Sequence, residues 1–386
     1  MNPIHMLVFF FGRRMVWHAF NLCVLALVSW GLVESDVPYM DYVLWISLII
    51  VATIAIWRAG DFFHPAATYI QERHQIPESV KAAIIDAIAS SFPEFCVAVI
   101  AVIMLGRAEV GISSIVGSAL YNVLIIPAAA GLVAKDPMKV NREVVWRDNL
   151  YYIGVVVLLL AALSFPQFSA KVENPQENTQ YWGVLVALIF IAAYVVYVLL
   201  LHHAYKQHKI KNPVEKEDPD NAEEEDEPVN ISSETHAWLW IIGMMLVMGG
   251  ASHLLVEASI KLGELAGIDA VIMGFVVIAA GTSVPDTVLS VISAKRGNYD
   301  AAISNVFGSN IFDICICLSV PILLALAISG DPTPVVLPQI ELIWYLIAAN
   351  LVAFYFFRSS DYTLSKPESV TLGGIYLLIV VLSLAI

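Results

Sequence analysis

The sequence predicts an all-α, multi-pass membrane protein with ten spanning helices in two inverted halves of five, preceded by one extra N-terminal helix. Three observations predict it. Of the 386 residues, 59% are hydrophobic and only 14% are charged, where an ordinary soluble domain carries about 25% charged residues. Apolar runs long enough to cross a bilayer, which takes roughly 20 residues each, fill the chain with short loops between them. Two segments also nearly repeat: AIASSFPEF and GISSIVGSALYN within residues 87–122, then AAGTSVPDT and AAISNVFGSNIFD within 279–313.

The first run, 15–34, follows Arg13 and Arg14 and lacks a clear small-x-small cleavage site. It reads as a retained helix or signal anchor within a leading segment 1–42, with a cleaved signal as the alternative. The ten core spans fall at 43–60, 78–105, 112–134, 149–166, 181–202, 236–262, 269–294, 302–328, 338–357 and 369–386. Spans one to five make a first repeat over 43–202, and spans six to ten a second over 236–386. Residues 203–235 join them. Nine acids and one lysine crowd into 215–227, and this polar composition predicts a disordered cytoplasmic linker. Weak calcium sensing is the alternative use of those acids. With the N-terminus cytoplasmic, 17 of the 20 Lys and Arg residues fall on that side, and only Arg107, Lys171 and Lys261 on the other. That asymmetry sets the orientation and puts the Asn230 sequon on the side where it is not glycosylated.

The similar segments begin on spans two and seven. Five crossings separate them, so the copies run in opposite directions. Ser91 matches Ser283, Pro93 matches Pro285 and the acid Glu94 matches the acid Asp286; Gly117 and Ser118 match Gly308 and Ser309, and Asn122 matches Asp313. Paired carboxylates beside helix-breaking prolines at membrane depth point to a transporter-type binding site, because hydrocarbon tolerates neither residue without a partner.

A proline lacks an N–H, so Pro93 releases the Ala89 carbonyl, Pro285 releases that of Gly281, and each helix bends. Positions 87, 90, 91 and 94 share a helix face, which offers the Ser90 and Ser91 hydroxyls and the Glu94 carboxylate; Thr282, Ser283 and Asp286 form the matching face. Two bidentate carboxylates with carbonyls near Ala87 and Ala279, hydroxyls and water meet the six to eight oxygens calcium takes. Neither motif holds His or Cys, which argues against zinc or copper. Ser118 with Asn122, and Ser309 with Asp313, stand one turn apart, and the preceding glycines are expected to allow close helix approach. Asn122 also suits interhelical hydrogen bonding, and Asp313 a monovalent ion or a proton. Asp86, two turns before Glu94 and matched by apolar Ile278, is a further intramembrane acid for a cavity mouth or a surface pair. His253 and Glu257 read as a packing pair, and Glu109 and Asp300 as vestibule residues. Cys23, Cys96, Cys315 and Cys317 all lie in apolar sequence and suggest neither a disulfide framework nor a zinc site.

Together SSFPE with GSALYN, and GTSVPD with GSNIFD, resemble the cation/calcium antiporter superfamily, the sodium/calcium exchangers. The resemblance covers all ten core spans. The second repeat looks most like the potassium-dependent branch, which carries Asp at the position of Asp286 and an acid matching Asp313 that it associates with potassium, although such an acid also occurs in exchangers that do not need potassium. The resemblance implies four motif helices around a central site, with spans one and six sliding against them. It implies calcium at Glu94 and Asp286, with further ligation by the carbonyls of Ala87 and Ala279. It assigns Ser90, Ser91, Ser118, Asn122, Thr282, Ser283, Ser309 and Asp313 to sodium or potassium. Two departures bear on ion choice, including toward protons: Ala89-Ser90-Ser91 stands where Gly-[Ser/Thr]-Ser is common, and Asp86 is extra. The linker lacks the folded calcium-regulatory domains of animal exchangers.

The expected activity is therefore antiport of calcium against sodium, with potassium as a candidate co-cargo, in a cell membrane. No enzymatic activity, cofactor, nucleic-acid partner or obligate protein partner is expected; the partners are inorganic cations and the bilayer. A proton/calcium exchanger is the runner-up. A cation channel with a ring of acids differs in conducting without a counter-ion. An intramembrane hydrolase lacks a nucleophile in these motifs.

Overall fold

In the computed structural model the described residues are 39–74, 87–172, 176–177, 179–211, 231–336 and 340–384. The expectations for 15–34, Cys23, Asp86, the acids of 215–227 and Asn230 lie outside them. The first half holds α1 (Tyr39–Arg73), α2 (Ala87–Val99), α3 (Ala108–Val133), α4 (Arg142–Ser164) and α5 (Val184–Lys211). The second holds α6 (Glu234–Ala266), α7 (Ala270–Thr282), α8 (Val284–Lys295), α9 (Tyr299–Ser329), α10 (Glu341–Ser359) and α11 (Lys366–Ser383). Among the described residues eight helices are long and apolar enough to span a bilayer. The α7–α8 pair makes a ninth, bent by 44°, and Ser90–Met104 is a shorter apolar helix. This is a multi-pass helical membrane protein.

Two short antiparallel ladders tie the halves together. β1 (Met138–Lys139), after α3, pairs with β4 (Thr363–Leu364), before α11; Met138 faces Leu364. β2 (Thr179–Trp182), before α5, pairs with β3 (Thr333–Val336), after α9; Gln180 faces Val335. Each ladder joins loops that the crossing count puts on one side of the bilayer, and the two ladders lie on opposite sides. Contacts at the helix ends agree. The Tyr42 hydroxyl donates to the Leu265 carbonyl at 2.7 Å, and His74 pairs with Glu234 at 2.8 Å, at opposite ends of α1 and α6. The ladders are absent from the sequence expectation, since runs of two to four residues carry no usable periodicity.

Packing divides the molecule. Helix α3 is buried on nearly all sides, contacts α7 to α11, and anchors a core shared with α4, α5, α9, α10 and α11. Helices α1 and α6 lie along each other as a separate layer. Ala59, Phe62, Phe63, Ala66 and Ala67 meet Ala237, Ile241, Met244 and Met248; nearer the other end, Ala52 and Ile56 meet Ala251 and Leu255.

Several boundaries differ from expectation. Helix α1 does not stop at residue 60 but continues through Arg58, Asp61 and Pro65 to Arg73. Its charges are accommodated by an i,i+3 ion pair, Arg58 to Asp61 at 3.0 Å, with the guanidinium over the Phe62 ring. The expected linker is shorter at both ends, because α5 continues to Lys211 and α6 begins at Glu234, where Ser233 accepts from the His236 N–H as an N-cap. The expected single helix over 269–294 is broken at Ser283 (φ −79°, ψ 0°), with Pro285 in the first turn of α8, where a missing N–H costs nothing. Its twin α2 runs on through Pro93 and ends in a π-turn, Ile100–Met104. Further π-turns occupy Gly274–Ile278 and Asp313–Cys317. One inserted residue per turn leaves no signature in apolar sequence, though π-turns concentrate at functional sites.

Candidate functional site

The repeated motifs meet at the centre of the bundle. Ser90, Ser91, Glu94, Ser118, Asn122, Thr282, Ser283, Asp286, Ser309 and Asp313 are all buried, and Glu94, Asp286 and Asp313 have no exposed surface. On the first-half side the Ser118 hydroxyl donates to Glu94 Oε1 at 3.3 Å and lies 2.8 Å from the Ser283 hydroxyl. Thr282, from the other half, sits beside Glu94. On the second-half side the Ser309 hydroxyl donates to Asp286 Oδ1 at 2.9 Å, and Ser90 sits beside Asp286, 3.5 Å from Ser309. Each acid is thus held by the serine of its own half and a hydroxyl of the other. These acid–hydroxyl contacts exchange under a twofold that maps 94 onto 286, 118 onto 309 and 90 onto 282; the Ser118–Ser283 contact has no Ser309–Ser91 counterpart.

The twofold also fails at the acids' amide partners. Asn122 Nδ2 donates to Asp286 Oδ2 at 3.1 Å. The equivalent residue, Asp313, faces Glu94 within electrostatic range, and a carboxylate cannot donate as an amide does. Glu94 Oε2 and Asp313 Oδ2 are accordingly buried with no hydrogen-bond partner, as are Asn122 Oδ1 and Ser91 Oγ. Asp313 opens the third π-turn, its Oδ1 accepts a long bond from the Cys317 thiol at 3.6 Å, and Ser91 lies beside it. An unpaired buried charge costs several kcal/mol, so these buried, unpartnered oxygens of Glu94 and Asp313 suit a cation.

Other expected residues fall into place unevenly. The Ala279 carbonyl accepts from the Ser283 N–H and the Thr282 hydroxyl, each at 3.1 Å; Ala87 is the first residue of α2. Gly117 allows close approach as expected: a Cβ there would lie 2.0 Å from the Phe275 carbonyl oxygen. At Gly308 a Cβ would meet nothing within 4 Å among the described residues. His253 and Glu257 form an exposed pair 3.9 Å apart along α6, contrary to the packing expectation. Glu109 pairs with Arg107 at 3.0 Å, and Asp300 caps the Asn141 N–H at 2.6 Å. Cys96, Cys315 and Cys317 are free thiols. No three His, Cys, Asp or Glu side chains among the described residues converge as a metal cage; the centre is built from few carboxylates and many neutral oxygens.

Sequence reasoning missed two asparagines. Asn310, fully buried, accepts from Asn122 Nδ2 at 3.0 Å and donates to the Ala119 carbonyl at 3.2 Å across the twofold. Asn305 Nδ2 donates to Ser290 at 3.1 Å and approaches Asp286 Oδ1 at 3.5 Å. Their signal was present as amides in the polar stripe of α9, but Asn310 has apolar Ala119 as its counterpart and so escapes a search for matched pairs.

A twofold-related pair of half-membrane bundles around a buried oxygen-rich centre defines an ion-transporter class of membrane protein. The chain belongs to the sodium/calcium exchanger protein family, whose pattern matches residues 44–202 and 236–385. It is thus a member of a calcium exchanger and antiporter family, of transporters rather than enzymes. It is 27% identical over 283 residues to the putative antiporter CaxA of Alkalimonas amylolytica, covering 72% of this chain and 80% of that one. It is 24% identical to Homo sapiens sodium/potassium/calcium exchanger 5, covering 77% and 73%. A 95-residue stretch, 24% of this chain and 9% of the relative, is 45% identical to Homo sapiens sodium/potassium/calcium exchanger 1. Among solved structures, native YfkE superposes with TM-score 0.64 at 14% identity over 95% and 100% of the two chains. The H+/Ca2+ exchanger CAX gives 0.62 at 13% over 96% and 92%, and the sodium-calcium exchanger NCX_Mj gives 0.55 at 18% over 88% and 98%. At these identities the structures share the fold.

Proposed function

We propose that the protein is a secondary active antiporter that exchanges calcium for sodium by alternating access, with potassium as a second monovalent cargo at the Asp313 end. The observation that carries the reading is the broken symmetry: Glu94 Oε2 and Asp313 Oδ2 are buried without a hydrogen-bond partner, while both oxygens of Asp286 are held. In this reading Glu94 and Asp286 ligate calcium, assisted by the carbonyls of Ala87 and Ala279. Ser90, Ser91, Ser118, Asn122, Thr282, Ser283, Ser309 and Asp313 serve the monovalent ions. The halves 43–202 and 236–386 act as the repeats. The β1–β4 ladder, the N-terminus and the linker lie on the cytoplasmic face of a cell membrane.

The coupling is electrostatic. An empty site carries two or three buried negative charges, each costing about 3 kcal/mol at the bilayer centre on insertion scales. Crossing between inward and outward states empty is therefore slow, and crossing filled by calcium or by several monovalent ions is fast. That rule yields exchange instead of leak. Any charge imbalance per cycle couples transport to voltage at about 2.3 kcal/mol per charge per 100 mV.

The unpartnered Glu94–Asp313 pair also favours a second reading, because a shared proton would satisfy it as a cation does. The test is radiolabelled calcium uptake into proteoliposomes with sodium, potassium and proton gradients imposed one at a time. Uptake driven by sodium, alone or with potassium, supports the first reading. Uptake driven only by a pH gradient in sodium-free medium overturns it in favour of calcium/proton exchange, and non-saturating flux without any counter-ion makes the protein a channel. Glu94→Gln is expected to abolish calcium exchange; intact flux in that variant sinks the calcium assignment.

A further inference from the structure

One buried amide at the centre belongs to no matched pair. Asn310 on α9 has no exposed surface, and its twofold counterpart is the apolar Ala119. Two well-formed bonds hold it. Its Nδ2 donates to the main-chain carbonyl of Ala119 on α3 at 3.2 Å, and its Oδ1 accepts from Asn122 Nδ2 at 3.0 Å. The same Asn122 Nδ2 donates to Asp286 Oδ2 at 3.1 Å. Asn122 Oδ1, by contrast, is buried without a hydrogen-bond partner. A chain of donors and acceptors thus links a backbone carbonyl to the Asp286 carboxylate, and one oxygen is left over.

The direction of that chain is fixed at its backbone end. A main-chain carbonyl accepts and never donates, so Asn310 turns its N–H to Ala119 and its oxygen to Asn122. Asn122 answers with one N–H and gives the other to Asp286, so both donors of its amide are engaged. Reversing the Asn122 amide would set an oxygen against Asn310 Oδ1 and Asp286 Oδ2 with no proton between them. Removing Asn310 leaves that amide one anchor, Asp286, and Asn122 Oδ1 loses its fixed direction. At the equivalent place Ala119 has no polar group that could orient Asp313, whose Oδ2 is also unpartnered.

We propose that Asn310 is a positioning residue for the cation site: it holds the Asn122 amide in the one orientation that gives an N–H to Asp286 and leaves an oxygen free for the monovalent cargo. The inference rests on the exchange reading and deepens it, because it adds a residue from outside the matched pairs to those that govern the monovalent ions. A carbonyl-type oxygen is a neutral ligand of the kind that replaces the hydration shell of an alkali cation. Asn310 reaches that cargo only through Asn122.

The test is a double-mutant cycle, read by calcium uptake in proteoliposomes with sodium and potassium titrated separately. Asn310→Leu keeps a side chain of similar size and neither bond. It should raise the half-saturating concentration of at least one monovalent cation about fivefold or more, the scale of one lost hydrogen bond. In an Asn122→Ala background the same substitution should change that concentration less than about twofold, because no amide is left to orient. A structural role alone would multiply the two shifts. That result, or a half-saturation within about twofold of wild type for Asn310→Leu, overturns the proposal. Thermal melting of the purified protein with and without sodium or potassium gives a flux-independent readout. Stabilisation by the affected ion should shrink in Asn310→Leu, and should shrink no further when Asn310→Leu is added to Asn122→Ala. Asn310→Ala serves as a second variant, and failure of both to assemble would assign Asn310 to packing alone and overturn its role toward the cargo. Absence of monovalent-driven uptake in the wild type is the separate outcome that removes the exchange reading itself.

Discussion

Two glycines at matched positions should respond oppositely to alanine. A Cβ on Gly117 would lie 2.0 Å from the Phe275 carbonyl oxygen, 2.7 Å from its carbon and 2.8 Å from Ala279 Cβ. Two of these neighbours are backbone on α7, and ordinary contact needs a separation larger by more than about 1 Å. No rotamer change relieves it, so α3 and α7 must move apart. Overpacking in a close-packed core costs about 1–3 kcal/mol, and more where backbone must shift; the Gly117→Ala variant belongs at or above the upper end. The movement also separates Ser118 from Ser283, which stand 2.8 Å apart, so calcium uptake should fall along with stability. Gly308→Ala meets nothing within 4 Å among the described residues, and alanine is the better helix former by about 1 kcal/mol, so its stability should be unchanged or raised. Thermal melting of both purified variants with and without calcium, followed by uptake in vesicles, measures the contrast. A tolerated Gly117→Ala, or a Gly308→Ala as damaging, would refute the packing argument.

Four further outcomes are expected. Asp286→Asn should lose calcium uptake at least as severely as Glu94→Gln, measured in the same vesicles, because a neutral amide also turns an N–H toward the Ser309 and Asn122 donors. Asp313→Asn restores the twofold by giving Glu94 an amide donor; calcium uptake should persist with a changed monovalent requirement, read as a shift in reversal potential or loss of potassium dependence. Asn310→Leu strands an Asn122 N–H and the Ala119 carbonyl. At about 1–3 kcal/mol for each stranded group, its melting temperature should drop by several degrees. Cysteine pairs at Lys139 with Thr363 and at Tyr181 with Pro334 should each cross-link, and an impermeant thiol reagent should reach the unlinked single variants from opposite faces of the membrane.

The centre of the molecule was legible because buried carboxylates are rare in apolar sequence, and each matched pair was a second witness for the other. Glu94, Asp286 and their serines needed only alignment of the two halves and a helical wheel. The break at Ser283 was harder to read. Pro93 and Pro285 sit in matched positions, yet α2 continues and α7 ends; the difference lies in packing around Gly281, where a Cβ would strike Leu255 and Thr53, and a single helix's sequence does not contain its neighbours. The length of α1 was misread for the same reason. Arg58 and Asp61 look like a terminus by composition, but they pair with each other and leave the Phe62 and Phe63 rings free to pack against α6.

Asymmetry inside a symmetric frame is what separates a site that binds from one that exchanges. A strict twofold would give each acid an amide donor, and both carboxylates would be equally satisfied. Replacing one amide by Asp313 adds a charge and removes a donor in the same step, so one end of the cavity is left wanting a cation while the other is tied to Asn122, Asn305 and Ser309. A site with unequal ends can hold ions of different charge in different places. In the exchange reading proposed above, calcium takes the Glu94 and Asp286 carboxylates and the monovalent ions the hydroxyl-rich set that ends at Asp313. In that reading either cargo neutralises the buried charge that bars the empty site from crossing, and that shared requirement is what turns a binding site into an exchanger.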